Sequence, residues 1–196
     1  MDDLRYPAGA TPLEPEEMED LKVGHITTRE ELNRFEQDNI NEALRWLEGR
    51  RKSDILTEKF IKTLHQKMFG KVWRWAGTFR RSGKNIGADW MRVPVYLHTL
   101  LQDVRFWIDR KTYPPDEIAV RFHHKLVWIH LFPNGNGRHA RLMTDILLKD
   151  IFKQEPFTWD VRNIDVEDEV RNFYLKALRA ADHGDYSPLL EFVRSN

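Results

Sequence analysis

The sequence predicts a mainly α-helical bundle that carries one small β excursion. Two observations support this. Apolar residues recur at helical spacing through most of the stretch between residues 28 and 155, bracketed by capping residues and by Gly or Pro stops. One segment, residues 80–95, breaks that period with Gly and basic residues and ends in Val93-Pro94-Val95, as a short hairpin or irregular loop would. At 196 residues the chain is long enough for one domain with a real core and helical extensions.

Residues 1–27 hold three of the nine prolines and many carboxylates, and read as an extended arm. Thr28-Arg29-Glu30-Glu31 is a capping-box pattern that starts a helix. Leu32, Phe35, Ile40, Ala43, Leu44 and Leu47 form its apolar stripe and Gly49 stops it. Thr57 caps a second helix with Phe60, Ile61, Leu64 and Met68 inward, ended by Gly70. Trp73, Trp75 and Phe79 lead into the irregular segment, and the tryptophans, with Trp128, are expected to pack. A helix over 96–110 follows, with Leu97, Leu100, Leu101, Val104 and Ile108 in line. Pro114-Pro115-Asp116 opens the next helix, which runs to His130 with Ile118, Ala119, Phe122, Leu126 and Ile129 buried. Ala140, Leu142, Met143, Ile146, Leu147 and Ile151 drive another through the core. Helices over 166–181 and after Ser187-Pro188 close the chain. The organisation expected is an arm (1–27), an N-terminal helix (28–54), a core (55–155) and C-terminal helices packing on it (156–196).

Chemistry concentrates in His130-Leu131-Phe132-Pro133-Asn134-Gly135-Asn136-Gly137-Arg138-His139-Ala140-Arg141. A Gly-Asn-Gly turn lets backbone N–H groups converge, and a helix starting there adds unpaired donors and the positive end of its dipole. Arg138 and Arg141, three apart, can fork onto phosphate oxygens from one side of the first turn. His130 can exchange a proton near neutral pH. Each residue alone is ordinary turn or core chemistry; the ordered spacing is what marks a phosphate cradle with a base at its rim.

That run resembles the signature of the Fic (filamentation induced by cAMP) family, HxFx(D/E)GNGRxxR, at His130, Phe132, Gly135, Asn136, Gly137, Arg138 and Arg141. The resemblance extends upstream through Trp75-Ala76-Gly77-Thr78-Phe79-Arg80. Ala10-Thr11-Pro12-Leu13 and residues 25–39 are also similar to a bacterial subgroup called mobile mystery protein B. The resemblance implies a Fic-like helical bundle and a protein adenylyltransferase: AMP moves from ATP to a Ser, Thr or Tyr hydroxyl of a target protein, with Mg²⁺ or Mn²⁺. It implies His130 as general base, with Gly135, Asn136, Gly137 and Arg138 on the α and β phosphates. Arg141 would take the γ-phosphate, and Phe132 would be buried to anchor the loop. It also implies a β-hairpin flap over 80–93 that pairs with an extended target, with Lys84, Asn85 and Ile86 the positions to test.

One position departs from the pattern. Asn134 stands where the family carries Asp or Glu, so it is a weaker metal ligand, and phosphate or another nucleotidyl group becomes an alternative cargo. A low-turnover nucleotide-binding module is the non-enzymatic alternative. Many Fic proteins also place an inhibitory glutamate against the final signature arginine. Glu36 or Glu31, on the helix ahead of the core, are the candidates to pair with Arg141. Self-modification and a separate regulatory partner are further expectations.

Composition narrows the remaining classes. Thirty-one basic residues balance 31 acidic ones, which argues against general nucleic-acid binding. No cysteine is present, so disulfides and thiolate metal sites are excluded. Neither a secretory leader nor a membrane-spanning stretch is legible, and a cytoplasmic bacterial protein is expected. His123 and His130 stand two helical turns apart, roughly 10 Å, too far to chelate one ion. His123 and His124 are expected to pack or hydrogen-bond.

Overall fold

Helix formation starts where the capping chemistry allows it. In the computed structural model, which describes residues 15–24, 26, 28–51, 53–159 and 168–194, a short helix α1 (Pro15–Met18) is followed by α2 (Arg29–Gly49). Thr28 accepts from the Glu31 N–H while Glu31 accepts from the Thr28 N–H, the reciprocal box expected. Thr57 caps α3 (Glu58–Phe69) by accepting from the Phe60 N–H, and the Gly70 N–H closes it onto the Gln66 carbonyl. α4 (Val93–Arg110) begins earlier than the periodicity predicts, because a 3₁₀ turn at Trp90–Arg92, capped by Asp89, feeds straight into it. α5 (Pro115–Ile129), α6 (Asn136–Leu147), α7 (Asp168–Asp182) and α8 (Ser187–Arg194) complete the helices. The expected arm falls largely outside the described residues, as do Ala10, Thr11, Pro12, Leu13, His25 and Thr27. So does the expected start of α7 at Val166.

The chain divides into two units: Met1–Pro94 with His130–His139, and Val95–Ile129 with Ala140–Asn196. In the first, α2 packs on α3 over Ile55, Ile61, Leu64, Phe69, Trp73 and Phe132, all essentially fully buried. Burying each such side chain is worth about 1.5–3 kcal/mol. Residues 20–22 lie antiparallel to 72–74 through the Lys22 N–H to Val72 carbonyl bond (2.8 Å) and the Arg74 N–H to Asp20 carbonyl bond (2.9 Å). In the second unit α8 packs on α5 and α7 around Ile118, Phe122, Leu189 and Val193.

Three expectations about inward faces need correction. On α2, Leu32, Ile40 and Ala43 are buried, but Phe35 and Leu44 are exposed, and Glu36 and Asn39 take the inner face instead. Asn39 belongs there because its amide donates to the Lys67 carbonyl and accepts from the Lys71 N–H, both at 2.8 Å. Ile151 is exposed because a wide π turn at Leu148–Phe152 shifts the helical phase. Trp73 and Trp75 are buried and stacked, whereas Trp128 is half-exposed against the edge of Tyr96.

The expected β-hairpin is not formed. Among the described residues there is no strand, and residues 81–89 run as bends and irregular chain. A local cause is visible: the Arg80 guanidinium donates to the carbonyls of Ser82 (2.9 Å) and Ala88, acceptors that a cross-strand ladder needs.

Candidate active site

α5 ends at Ile129, and the next residue, His130, turns the chain with φ +56°, a left-handed conformation that L side chains rarely adopt. The turn is secured by its neighbours. The Arg80 Nε–H donates to the His130 carbonyl at 2.6 Å, and the Arg80 N–H donates to the Leu131 carbonyl at 3.0 Å. His130 is 5% exposed and therefore buried.

The loop from 132 to 136 closes on itself. Asn136 accepts from the Phe132 N–H (2.9 Å) and donates to the Phe132 carbonyl (2.8 Å), a two-bond clamp. Its amide side chain is therefore engaged by the loop itself. Phe132 is fully buried, as expected, stacked on His65 with ring centroids 3.7 Å apart. Gly135 is irreplaceable for two reasons: its φ is +76°, and a Cβ there would stand 2.7 Å from the Phe69 ring. Asn136 then opens α6, so that 12-residue helix presents its N-terminus at the loop.

Two residues that the sequence reading did not single out hold this loop. His65 is fully buried. The Gly77 N–H donates to its Nδ1 (3.0 Å), so the proton lies on Nε2, which donates to the Asn134 carbonyl (3.1 Å). Burial, and then the nearby His139 and Arg138 charges, hold the imidazole well below its ordinary pKa and therefore neutral. His139 is likewise buried and pushed down to about 4 by desolvation, with its Nε2 on the Ile61 carbonyl (3.1 Å). Arg80 is the second such residue. The one hint of it in the sequence was its place at the end of the Trp75–Phe79 aromatic run; its basic neighbours disguised it as surface.

Charge at the loop differs from expectation. Glu36, 3% exposed, accepts from the Trp73 Nε1–H (2.6 Å) and from the Arg138 Nη2–H (2.7 Å). Its arginine partner is thus Arg138, where Arg141 was expected, because Arg138 lies in the first turn of α6 beside α2's inner face. Arg138 also lies over the Phe69 ring at 4.9 Å. Glu31 is engaged by the α2 cap, accepting from the Thr28 N–H. Arg141, one turn further along α6, belongs to the second unit, where its charge contributes to lowering His123 and Asp145. Of the flap positions, the Lys84 side chain is 1% exposed and ion-paired to Glu17, whereas Asn85 and Ile86 are exposed.

Asn134 does not fit a protein-held divalent cation. Its Oδ1 accepts from the Gly135 N–H (2.6 Å), its main-chain carbonyl accepts from His65, and its amide carries no charge.

Residues 55–148 match the family model described as the Fic/DOC family. A protein adenylyltransferase Fic of Aedes aegypti is 30% identical over 146 residues, covering 72% of this chain and 28% of that protein. The chain spans between 27% and 36% of the length of the first curated relatives it matches. Among solved structures, Fic-1 (residues 134–508) of C. elegans aligns with a TM-score of 0.64 at 25% identity, covering 88% of this chain and 49% of that one. The N-terminal FIC domain of Bep8 from Bartonella sp. 1-1C aligns at 0.71 with 15% identity, over 90% of each.

Proposed function

Because the chain belongs to the Fic/DOC family, we propose that it is a protein adenylyltransferase, transferring AMP from ATP to a Ser, Thr or Tyr hydroxyl of a target protein. The observation that carries this reading is that His130, left-handed and buried, leads into a glycine turn that runs directly into the N-terminus of α6. In the proposed reaction His130 takes the proton of the target hydroxyl as its oxygen attacks the α-phosphorus. The bond to the bridging oxygen breaks and pyrophosphate leaves. Main-chain N–H groups of 135–138 and the Arg138 fork stabilise the developing charge. Arg141 is assigned the γ-phosphate. Any divalent cation arrives on the ATP phosphates as part of the substrate, since Asn134 offers no charged ligand.

Glu36 sets the resting state in this reading. An arginine held by a buried carboxylate is not available to phosphate, and releasing it leaves that carboxylate uncompensated. Glu36→Gln keeps an acceptor for Trp73 and removes the charge, so self-modification is expected to rise about tenfold or more. Unchanged labelling would remove the restraint from the account.

ATP labelled at the α or at the γ phosphorus separates the alternatives. Transfer of the α label alone supports AMP transfer. Transfer of the γ label identifies a phosphotransferase, the alternative Asn134 leaves open. Retained nucleotide with neither label transferred identifies a binding module.

A further inference from the structure

We infer that Arg80 is a positioning residue that locks the main chain of His130 and the loop over residues 81–89 into one rigid unit. This rests on the reading of His130 as the base and of that loop as the place where a target segment lies.

The geometry is specific. One guanidinium, on a residue 2% exposed, reaches three carbonyls from three places: His130 through Nε at 2.6 Å, Ser82 through Nη1 at 2.9 Å, and Ala88 through Nη2. Ser82 and Ala88 are the two arms of the loop, and His130 is the proposed base. The Arg80 main chain adds a fourth bond, its N–H to the Leu131 carbonyl. Contact continues through Gly87, whose φ is +103°; a Cβ there would lie 2.6 Å from the His130 Cβ and 3.1 Å from the Arg80 Nη2. The loop backbone is therefore seated directly on the base's own Cβ.

A left-handed histidine persists only where its surroundings over-determine it. Here the clamp on the His130 carbonyl is also the clamp on the loop, so the distance from a docked hydroxyl to the imidazole is set by one side chain. A buried guanidinium needs its donors satisfied, and three main-chain acceptors in a fixed fork do so in a way an ammonium cannot. This also accounts for a target seat without a β ladder, since the same fork occupies the acceptors.

Arg80→Lys and Arg80→Gln test the inference, read by initial rates and by hydrogen exchange. The expected result is a kcat for transfer lower by roughly a hundredfold, as for a reacting group moved by about 1 Å, with the KM for ATP little changed. Exchange is expected to rise together in 81–89 and 130–132 while α2 and α3 keep their protection. Methylguanidinium, added to Arg80→Ala below denaturing concentration, is expected to restore part of kcat. Unchanged kcat, or exchange rising in only one segment, would overturn the assignment. So would a parallel loss of kcat and ATP affinity that follows melting temperature. Should those variants not fold, Gly87→Ala keeps Arg80 and presses on His130, and a response confined to 81–89 contradicts the coupling. If His130→Ala transfers AMP as fast as wild type, the catalytic reading falls, and the exchange data still decide whether Arg80 couples the two segments.

Discussion

Two buried histidines in each unit illustrate different uses of one side chain. In the first unit His65 and His139 bond main-chain carbonyls, Asn134 and Ile61, of distant segments. In the second, His123 meets the Tyr174 hydroxyl (2.8 Å) and His124 meets the Asp182 carboxylate (2.8 Å), both side chain to side chain. The cause lies in the backbone. Helices α5 and α7 satisfy their own carbonyls, so polar groups between them pair with one another. The signature turn is irregular, and its Asn134 carbonyl takes a donor from His65, whereas the Ile61 carbonyl that meets His139 lies within α3. A buried imidazole beside a functional loop is thus a strut for that loop, whereas one between helices is a packing element with a polar tip.

The largest effect should come from the loop itself. Gly135→Ala combines a left-handed φ with a Cβ against Phe69, a destabilisation of about 2–5 kcal/mol. Transfer should vanish and the melting temperature should fall; a stable, active variant would break the picture of a built loop.

Next, His65→Phe removes the bonds to the part-buried Gly77 N–H and Asn134 carbonyl, up to about 1–3 kcal/mol for each. His123→Phe removes the bond to the Tyr174 hydroxyl. Both variants should melt earlier, but only His65→Phe should lower kcat, by about tenfold or more. Equal kcat losses would erase the distinction between strut and packing.

Acid stability sharpens it further. His139 and His123 are pushed from an ordinary 6.5 to about 4 and about 3 by burial. The unfolded chain therefore binds protons first, and stability falls as pH drops from 6.5 through those values. His139→Gln should flatten that slope, measured by denaturant midpoints across pH 3–7.

The smallest effect is expected at Asp145. Its carboxyl is raised from 3.8 to about 6 by burial, against the bonds from the Trp159 Nε1–H and the Phe157 N–H to Oδ1. Raised in the fold, it removes stability as pH climbs from 3.8 to 6. Asp145→Asn keeps that oxygen as acceptor. Its stability relative to wild type should therefore grow over that window, and no change with pH would contradict the shift.

Much of this was legible beforehand, and the legible parts are local. Thr28 and Glu31, Thr57 and Gly70 declare helix ends through bonds three or four residues long. The signature declares its turn in the same way. What escaped was long-range polar chemistry. Periodicity counted Phe35 and Leu44 as inner, while Glu36 and Asn39 hold that face because Trp73, Arg138, Lys67 and Lys71 lie across from them. Arg80 stood only at the end of the Trp75–Arg80 stretch, since nothing in the local sequence announces three carbonyls converging on it. The ion pair of Lys84 was hidden for the same reason: Glu17, its partner, lies 67 residues away.

The central claim is that His130 stands as the proton acceptor beside a nucleotide held by the turn and by α6. Its most direct measurement compares wild type with His130→Ala in parallel assays of ATP binding by calorimetry and of α-label transfer to protein. The account predicts that binding is retained and transfer falls by at least about a hundredfold. Equal transfer by the two proteins, or no ATP binding by either, would contradict it.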